Sequence, residues 1–561
     1  MDHLIFISTI IIVLSSILGH GLIFCRLVCP KLLSLNYGYI GLIGFFSLAN
    51  LSILSSFFFK HGYIHNILIH IIGITALLFF LKKDFLVQSQ NLKKTLVLFL
   101  ILIIGIYIFK NHDDFPYYHL TYSLTLSENK YLFGLGRLGH GFRTHSSLFY
   151  FHSILYLPYI KYYLFHSGPF FIFLFFNFIC LDQIIKFLKN KNINFLFYLY
   201  FLSFAFVTIF FYRIGEHGTD RSSQIILLLI LINFIIFNYF EKNNLKLNDT
   251  ANLILILILL AASMKALYYI YLIFLPFILI KKNFIKNYIG FDKVLILIYF
   301  SIAFVLNISI NFFNTGCLIY PETRLCFDNF SWSINKQEVS QMKVHYEWWS
   351  KSGGGPNYSH ELAKDEYIKN FNWVSNWIER HFFNKVSDTL FGVLFMCAIF
   401  IMLFFSKKKK RDVQSFFLIY FLISIFLLEW FLKHPAMRYG GYILIAFPII
   451  LLSSTILAKF LNPFNKVKLI SVFLIVLILG IYNVRNFLRI TKEVSVYKYP
   501  ILAKPYFKVK KTENKIVYKD KNITIYNPGN NSCWANKTPC FKGSKVKIER
   551  FFNINILEYV K

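Results

Sequence analysis

A compact group of histidines, aspartates and tyrosines follows a strongly apolar run, and its residue types are those of acid–base chemistry. The run 95-TLVLFLILIIGIYIF-109 leads into 111-NHDDFPYYHL-120. A carboxylate beside a membrane is costly unless water solvates it or a reaction uses it, and it could take the proton of a hydroxyl group as a general base. The alternative is a solvated polar cap where a helix leaves the bilayer. The candidate bases are Asp113 and Asp114, and the residues that could titrate or bind substrate or a metal are His112 and His119.

A second segment combines glycines with basic residues. The stretch 131-YLFGLGRLGHGFRTHSSLFYF-151 contains four glycines and two arginines. Guanidinium groups match phosphate oxygens in geometry, so Arg137 and Arg143 are candidates for binding a phosphate or pyrophosphate. Glycines would let the backbone approach such a ligand closely. The alternative is a surface loop whose arginines lie near lipid headgroups.

A third polar segment, 213-RIGEHGTDRSSQ-224, separates two apolar runs. Glu216 and His217 could hold a divalent metal ion or orient a substrate, and Asp220 is a further candidate for substrate binding. The alternative is an ordinary charged turn whose acidic and basic side chains pair with one another.

Two basic residues farther along the chain complete the candidate site. Lys265 is the lone charge in an apolar stretch from 251 to 280, and an ionisable residue at such depth is a functional candidate. It could pair with a phosphate or a carboxylate, or it could reach water at the bilayer surface. In 433-KHPAMRYGGYILIAFP-448, Arg438 could contact an anion beside Tyr439. The alternative for this pair is anchoring at the membrane interface.

The elements that carry these residues are predicted to be transmembrane helices. The chain has 561 residues, of which 57% are hydrophobic and 15% charged, and its mean hydropathy is +0.55. Apolar runs of about twenty residues recur, each long enough to cross a hydrocarbon core of about 30 Å. We therefore expect an all-α polytopic membrane protein with about 12–14 spans. The predicted spans are 4–25, 37–58, 63–81, 95–109, 168–187, 193–212, 224–240, 251–263, 266–280, 294–312, 389–405, 414–432, 439–458 and 468–483.

The distribution of lysines predicts the orientation and excludes nucleic acid as a partner. The net charge is +32, but the lysines form short clusters between apolar runs, as in the cytoplasmic loops of polytopic proteins. The outer face then receives every candidate site residue named above. This topology requires 147–165 to lie at the interface as a helix and not to cross the membrane. The basic clusters are 82–83, 93–94, 188–192, 281–287, 407–411 and 464–468, and the predicted outer loops are about 110–166, 213–223, 313–388 and 433–438.

The cysteines and the C-terminal segment fit this orientation. Two close pairs fall on outer segments, and they predict disulfides Cys317–Cys326 and Cys533–Cys540 in an oxidising compartment. The alternative is two pairs of free thiols. We divide the chain into a transmembrane domain, 1–483, and a small extracytoplasmic soluble domain of α/β or β type, 484–561. Alternating residues at 515–520 and 522–528 predict short strands in the latter.

These features together resemble the GT-C superfamily, the integral membrane glycosyltransferases that use polyprenyl-phosphate sugars. The resemblance rests on a carboxylate in the first large outer loop, several polar outer turns, the arginine–tyrosine step in 438-RYGGYILIAFP-448 and a terminal soluble domain. The run 134-GLGRLGHGFRTHSS-147 is similar to a glycine-rich element of a group of bacterial multi-pass proteins with GT-C-like architecture. The cysteine-containing segments 316–332 and 533–540 also look like that group.

The resemblance implies an inverting glycosyl transfer from a polyprenyl-phosphate donor to a hydroxyl acceptor on a glycan, lipid or protein. Asp113 or Asp114 would be the base, and Arg137, Lys265 and Arg438 would hold the lipid phosphate. A divalent metal ion is possible, because GT-C enzymes differ in this need. The implied location is the bacterial inner membrane, with the site facing outward. The competing interpretations are a polymerase or ligase of lipid-linked polysaccharide and, less favoured by the apolar spans, a transporter.

Overall fold

The computed structural model describes residues 1–83, 85–241, 244–280, 291–353, 362–408, 415–520, 523–542, 546–551 and 554–559. Within these ranges, eleven helices are long and apolar enough to cross a membrane. By helix length and composition the chain is therefore a multi-pass membrane protein, as the sequence predicts. The eleven helices are Asp2–Val28, Tyr37–Ser56, Tyr63–Lys83, Gln88–Ile106, Gly168–Lys189, Gly218–Phe240, Leu247–Met264, Val294–Thr315, Val374–Leu403, Gly441–Lys459 and Phe464–Tyr497.

The three remaining predicted spans are shorter helices. Phe195–Phe210 has 16 residues and Phe417–Lys433 has 17 residues. The third, Ala266–Ile280, is apolar and begins as a 3₁₀ helix. It is separated from the preceding helix by Lys265, whose backbone is extended (φ −155°, ψ 116°). The interruption that the sequence predicts around Met264 and Lys265 is thus observed.

The long connections gather at one end of the bundle, which we call the loop end. It comprises residues 107–167, 211–217, 316–353, 362–373, 434–440 and the described part of 498–559. Backbone hydrogen bonds link these segments, for example from Gly134 N–H to Phe313 O (2.7 Å) and from Lys508 N–H to Phe109 O (3.0 Å). The predicted basic clusters 82–83, 93–94, 188–192 and 464–468 belong to the other end, whereas 281–287 and 409–411 lie outside the described residues.

Short helices and turns build the loop end. Most have fewer than ten residues, which suits connections that fold onto the ends of the spanning helices. They are Phe115–His119 (π-helical), Leu120–Glu128, Leu135–Leu138, His140–Arg143, Ser147–Ser153, Thr323–Leu325, Lys336–Lys351, Lys364–Tyr367 and Met437–Tyr439; one further turn, Pro30–Ser34, lies at the opposite end.

The predicted interfacial helix over 147–165 is wrong. The segment forms a helix only over Ser147–Ser153 and continues as turns, and most of its residues are buried in the protein. Phe151 stacks on Phe45 with ring centroids 4.1 Å apart, and the Ile154 carbonyl lies 3.1 Å from Nε2 of His70. An amphipathic pattern in the sequence shows which face of a segment is apolar. It does not show whether that face contacts lipid or the interior of the helix bundle.

The C-terminal segment carries the predicted strands and folds onto the loop end. The last helix extends to Tyr497, beyond the predicted boundary at 483. Two antiparallel hairpins follow, formed by Lys515–Lys519 with Thr524–Asn527 and by Val546–Phe551 with Ile554–Tyr559. Trp534 N–H donates to Pro116 O (3.0 Å), and Thr538 Oγ1 donates to a carboxylate oxygen of Glu128 (2.5 Å). Disulfides join Cys317 to Cys326 and Cys533 to Cys540.

A buried ion pair ties the last helix to the chain that leads into the aspartate pair. Arg489 and Glu493 are 8% and 4% exposed, and their side chains are 2.9 Å apart. Arg489 Nη2 donates to Tyr107 O (2.6 Å), and Phe109 N–H donates to Glu493 Oε2 (2.8 Å). Because buried charges are tolerated when they are paired and hydrogen-bonded, this arrangement fixes the backbone just before Asp114.

The first two helices approach each other so closely that only glycine fits at their contact. A Cβ on Gly21 would lie 2.1 Å from Ile40 O, and a Cβ on Gly44 would lie 1.9 Å from Ile17 O. Small residues allow helix backbones to approach in membranes, where packing drives association. A side chain at either position would force the two helices apart.

The Gly44→Ala variant tests this contact. We expect it to unfold more easily by about 1–3 kcal/mol, because the added methyl group meets backbone and no flexible side chain. The measurement is thermal unfolding of the purified protein in detergent. Gly480→Ala is the matched control, since a Cβ at Gly480 meets nothing within 4 Å. Equal stabilities of the two variants would contradict the proposed close approach.

Candidate functional site

Three distant segments meet at the side chain of Arg438. Its Nη2 atom lies 3.0 Å from Oδ2 of Asp114, and its Nε atom lies 2.8 Å from Oδ2 of Asp220. The second oxygen of Asp220, Oδ1, pairs with Lys265 Nζ. Two carboxylates and two cations thus alternate in a continuous network, which we call the charge cluster. Asp114 and Arg438 are 324 residues apart in the sequence.

Each member of the charge cluster occupies an irregular point of the fold. Asp114 immediately precedes the π-helical turn Phe115–His119. Asp220 stands in the first turn of its helix, where the positive end of the helix dipole favours a carboxylate. Lys265 occupies the helix interruption, and Arg438 belongs to the turn Met437–Tyr439. Helix ends and interruptions therefore bring the four charges to one place beside the loop end.

The charge cluster is partly shielded from solvent, so its ion pairs are stronger than surface pairs. The side chains of Asp114 and Arg438 are each 27% exposed, while those of Asp220 and Lys265 are 14% and 20% exposed. Burial by itself raises the pKa of Asp114, but the Arg438 guanidinium outweighs it, and the net pKa lies below the usual range. Asp114 is therefore ionised at neutral pH.

The turn that carries Arg438 is held by four side chains from three other segments. All four are buried or nearly so. Because a buried backbone group needs a hydrogen-bond partner, these contacts fix the path of 435–438. They are Trp377 Nε1 to Pro435 O (2.7 Å), Trp430 Nε1 to Ala436 O (3.0 Å), Met437 N–H to His381 Nε2 (3.3 Å), and Gln224 Nε2 to Met437 O (3.2 Å) and Arg438 O (3.4 Å).

Aromatic rings cover the two cations. The ring of Tyr439 lies 4.3 Å from Lys265 Nζ, and the ring of Trp349 lies 5.3 Å from the guanidinium carbon of Arg438. Trp349 comes from the helix Lys336–Lys351 of the loop end. Cations are attracted to ring faces at these distances, and an aromatic cover also limits the access of water. The helix Lys336–Lys351 thus covers part of the charge cluster.

The predicted residues around Asp114 have different environments. Asp113 is exposed. His112 Nδ1 lies 3.5 Å from Asp114 Oδ2. His119 is buried, and burial lowers its pKa to about 4, so that its imidazole is neutral at pH 7. The aspartate pair is therefore divided into one exposed residue and one residue within the charge cluster.

The predicted metal ligands Glu216 and His217 lie beside the charge cluster, but they do not assemble a ligand set. Glu216 pairs with Arg213 of the same turn. The ring of His217 lies 6.0 Å from that of His112, and burial lowers its pKa well below the usual value. Among the described residues, no group of three or more histidine, cysteine, aspartate or glutamate side chains is placed to hold a metal ion.

The two arginines of the glycine-rich segment lie outside the charge cluster. Arg137 donates to three successive carbonyls, those of residues 331–333, at 2.5 to 3.2 Å. Arg143 pairs with Glu338 and donates to Gly136 O (3.2 Å). Both guanidinium groups thus join the segment 131–151 to the helix Lys336–Lys351 or to the residues just before it. They stabilise the position of the helix that covers the charge cluster.

Sequence reasoning missed two residues that contact Arg438. Trp349 covers its guanidinium group, and Gln224 binds its carbonyl. The signal for Trp349 is the run 347-EWW-349 in a polar loop, since tryptophan side chains have large apolar surfaces that are usually covered. Gln224, in contrast, is the last residue of the polar segment 213–224, and its sequence context does not distinguish it from an ordinary polar residue near a helix start.

These observations define the class as a polytopic helical membrane protein with a charge cluster at one end of its bundle. The chain belongs to the family described as a domain of unknown function, DUF8201, whose model matches residues 3–445. All four members of the charge cluster lie inside the matched region, whereas the last helix and the C-terminal hairpins lie outside it. No curated protein and no solved structure matches the chain significantly.

The hydrogen bonds to the Arg438 turn are testable by a single substitution. We expect Gln224→Met to destabilise the protein by about 1–2 kcal/mol, because two buried carbonyls lose a donor while the side-chain volume is nearly kept. The unfolding midpoint in detergent measures the effect. Gln337→Met, at an exposed position on a loop helix, is the control and should leave the midpoint unchanged. A midpoint for Gln224→Met equal to that of the control would refute the role of this glutamine.

Proposed function

We propose that the protein is an inverting membrane glycosyltransferase. It moves a sugar from a polyprenyl-phosphate donor to a hydroxyl group of a glycan, lipid or protein acceptor. The observation that carries the proposal is the ion pair between Asp114 and Arg438, with Asp220 and Lys265 beside it. Such a transfer needs a proton acceptor for the attacking hydroxyl and positive charge for the departing phosphate.

Asp114 is the base in this proposal. It is ionised at neutral pH and 27% exposed, so an acceptor hydroxyl has access to it. The acceptor oxygen forms a bond to the anomeric carbon as the bond from that carbon to the phosphate oxygen breaks, and the hydroxyl proton passes to the carboxylate. Attack from the face opposite the phosphate inverts the anomeric centre. Asp113, which is exposed and outside the charge cluster, has no part in this step.

Arg438 and Lys265 supply the positive charge. The phosphate gains one negative charge when the sugar leaves, and cations in a partly dehydrated site stabilise that charge more strongly than cations in water. The guanidinium fork also suits two phosphate oxygens at once. Asp220 keeps both cations in place through its two oxygens.

The position of the charge cluster supports a lipid-borne donor. Asp114 follows the spanning helix Gln88–Ile106, Asp220 begins the helix Gly218–Phe240, and Lys265 follows the helix Leu247–Met264. A polyprenyl phosphate presents its headgroup at this level of the bilayer. The lysine-rich connections of the opposite end and the disulfides of the loop end favour an extracytoplasmic site in the bacterial inner membrane.

The experiment compares Asp114→Asn with Asp113→Asn. Purified protein in detergent is incubated with polyprenyl-phosphate sugars, and mass spectrometry follows the release of polyprenyl phosphate. We expect Asp114→Asn to lose activity by about a hundredfold or more, as for removal of a general base, while Asp113→Asn keeps it. Size-exclusion profiles establish that both variants fold. If folded Asp114→Asn releases lipid phosphate at the wild-type rate, Asp114 is not the base.

A further inference from the structure

We propose that the donor phosphate and the Asp114 carboxylate exchange places on Arg438, so that donor binding releases the base for the acceptor. The inference rests on the proposed function and adds an order of binding to it. In the structure, a carboxylate oxygen of Asp114 lies 3.0 Å from a guanidinium nitrogen of Arg438. A phosphate oxygen would bind to the same kind of nitrogen. Donor and base therefore compete for one group.

The two carboxylates on Arg438 are not held equally. Asp220 contacts two cations, Arg438 through one oxygen and Lys265 through the other. Asp114 pairs with Arg438 alone among the lysines and arginines of the described residues, and its other near neighbour is His112 at 3.5 Å. Asp114 is also the more exposed carboxylate, at 27% against 14%. An arriving anion would therefore displace Asp114 and leave Asp220 in place.

The surroundings of Arg438 favour movement of the aspartate over movement of the arginine. Five hydrogen bonds from four side chains hold the backbone of 435–438, as described above. Asp114, in contrast, follows the exposed Asp113 at the start of a short π-helical turn. Rotation of one short side chain frees its carboxylate, whereas the position of Arg438 is set by three other segments.

On donor binding, the exchange replaces one negative charge at Arg438 by another. A sugar linked to a polyprenyl phosphate is a phosphodiester with one negative charge, equal to that of the carboxylate it replaces. After transfer, Asp114 carries the acceptor proton and no longer competes for Arg438. When Asp114 loses that proton to solvent, it again competes with the polyprenyl phosphate product for Arg438. One ion pair thereby controls the activation of the base.

Binding of a simple anion separates this inference from the catalytic proposal. The probe is farnesyl phosphate, a short polyprenyl monophosphate, and its dissociation constant is measured by calorimetry on full-length protein in detergent. We expect Asp114→Asn to bind about fivefold more tightly than wild type, the effect of removing one competing ion pair. Asp113→Asn makes the same change in net charge one residue away and should bind like wild type. Arg438→Gln should bind at least about tenfold more weakly.

Several outcomes would overturn the exchange. Equal tightening by Asp113→Asn and Asp114→Asn would reduce the effect to net charge, and weaker binding by Asp114→Asn would make the carboxylate part of the anion site. Unchanged binding by Arg438→Gln would place the phosphate elsewhere. If Asp114→Asn loses transfer but binds like wild type, the glycosyltransferase stands and the exchange fails. If wild type binds farnesyl phosphate no better than farnesol, both proposals fail.

Discussion

The guanidinium group of Arg438, shared between two carboxylates, is the interaction on which the loop end depends. Removing four charges partly from water is expensive, and their mutual attraction repays this only when the geometry is well defined. The observed network alternates negative and positive groups, from Asp114 through Arg438 and Asp220 to Lys265. Each charge comes from a different helix end or turn, so the network also sets the relative positions of the spanning helices that carry them.

The elements around the charge cluster hold most of its side chains in fixed positions. Hydrogen bonds from buried side chains fix the turn of Arg438, and the ion pair of Arg489 with Glu493 fixes the chain just before Asp114. Arg137 binds the chain just before the helix Lys336–Lys351, and Arg143 pairs with Glu338 in the first turn of that helix. Preorganised charges stabilise a developing charge without reorganising during the reaction. The loop end thus has the preorganised charges that the proposed transfer would use, with Asp114 as the least constrained member.

Much of the fold could be predicted from local sequence, because a span of apolar residues has few alternatives in a membrane. The helix interruption at Lys265 was visible as a charge within an apolar stretch too long for one span. The segment 147–165 was not predictable, since its apolar residues meet protein and the pattern is the same as for lipid. The contact of Asp114 with Arg438 could not be predicted from the sequence either. The predicted topology only placed both residues on the same face of the membrane. Trp349 was missed because cation–π contacts have no fixed spacing along the chain.

The separation of 324 residues between Asp114 and Arg438 has a consequence for biosynthesis. At about 5–20 residues per second, the ribosome needs on the order of tens of seconds to make the arginine after the aspartate. During that interval Asp114 has no lysine or arginine to pair with, and Asp220 has only Lys265. Water must therefore solvate the Asp114 carboxylate until Arg438 arrives. The loop end closes only when one of the last spans has been inserted, so the site is among the final parts of the protein to form.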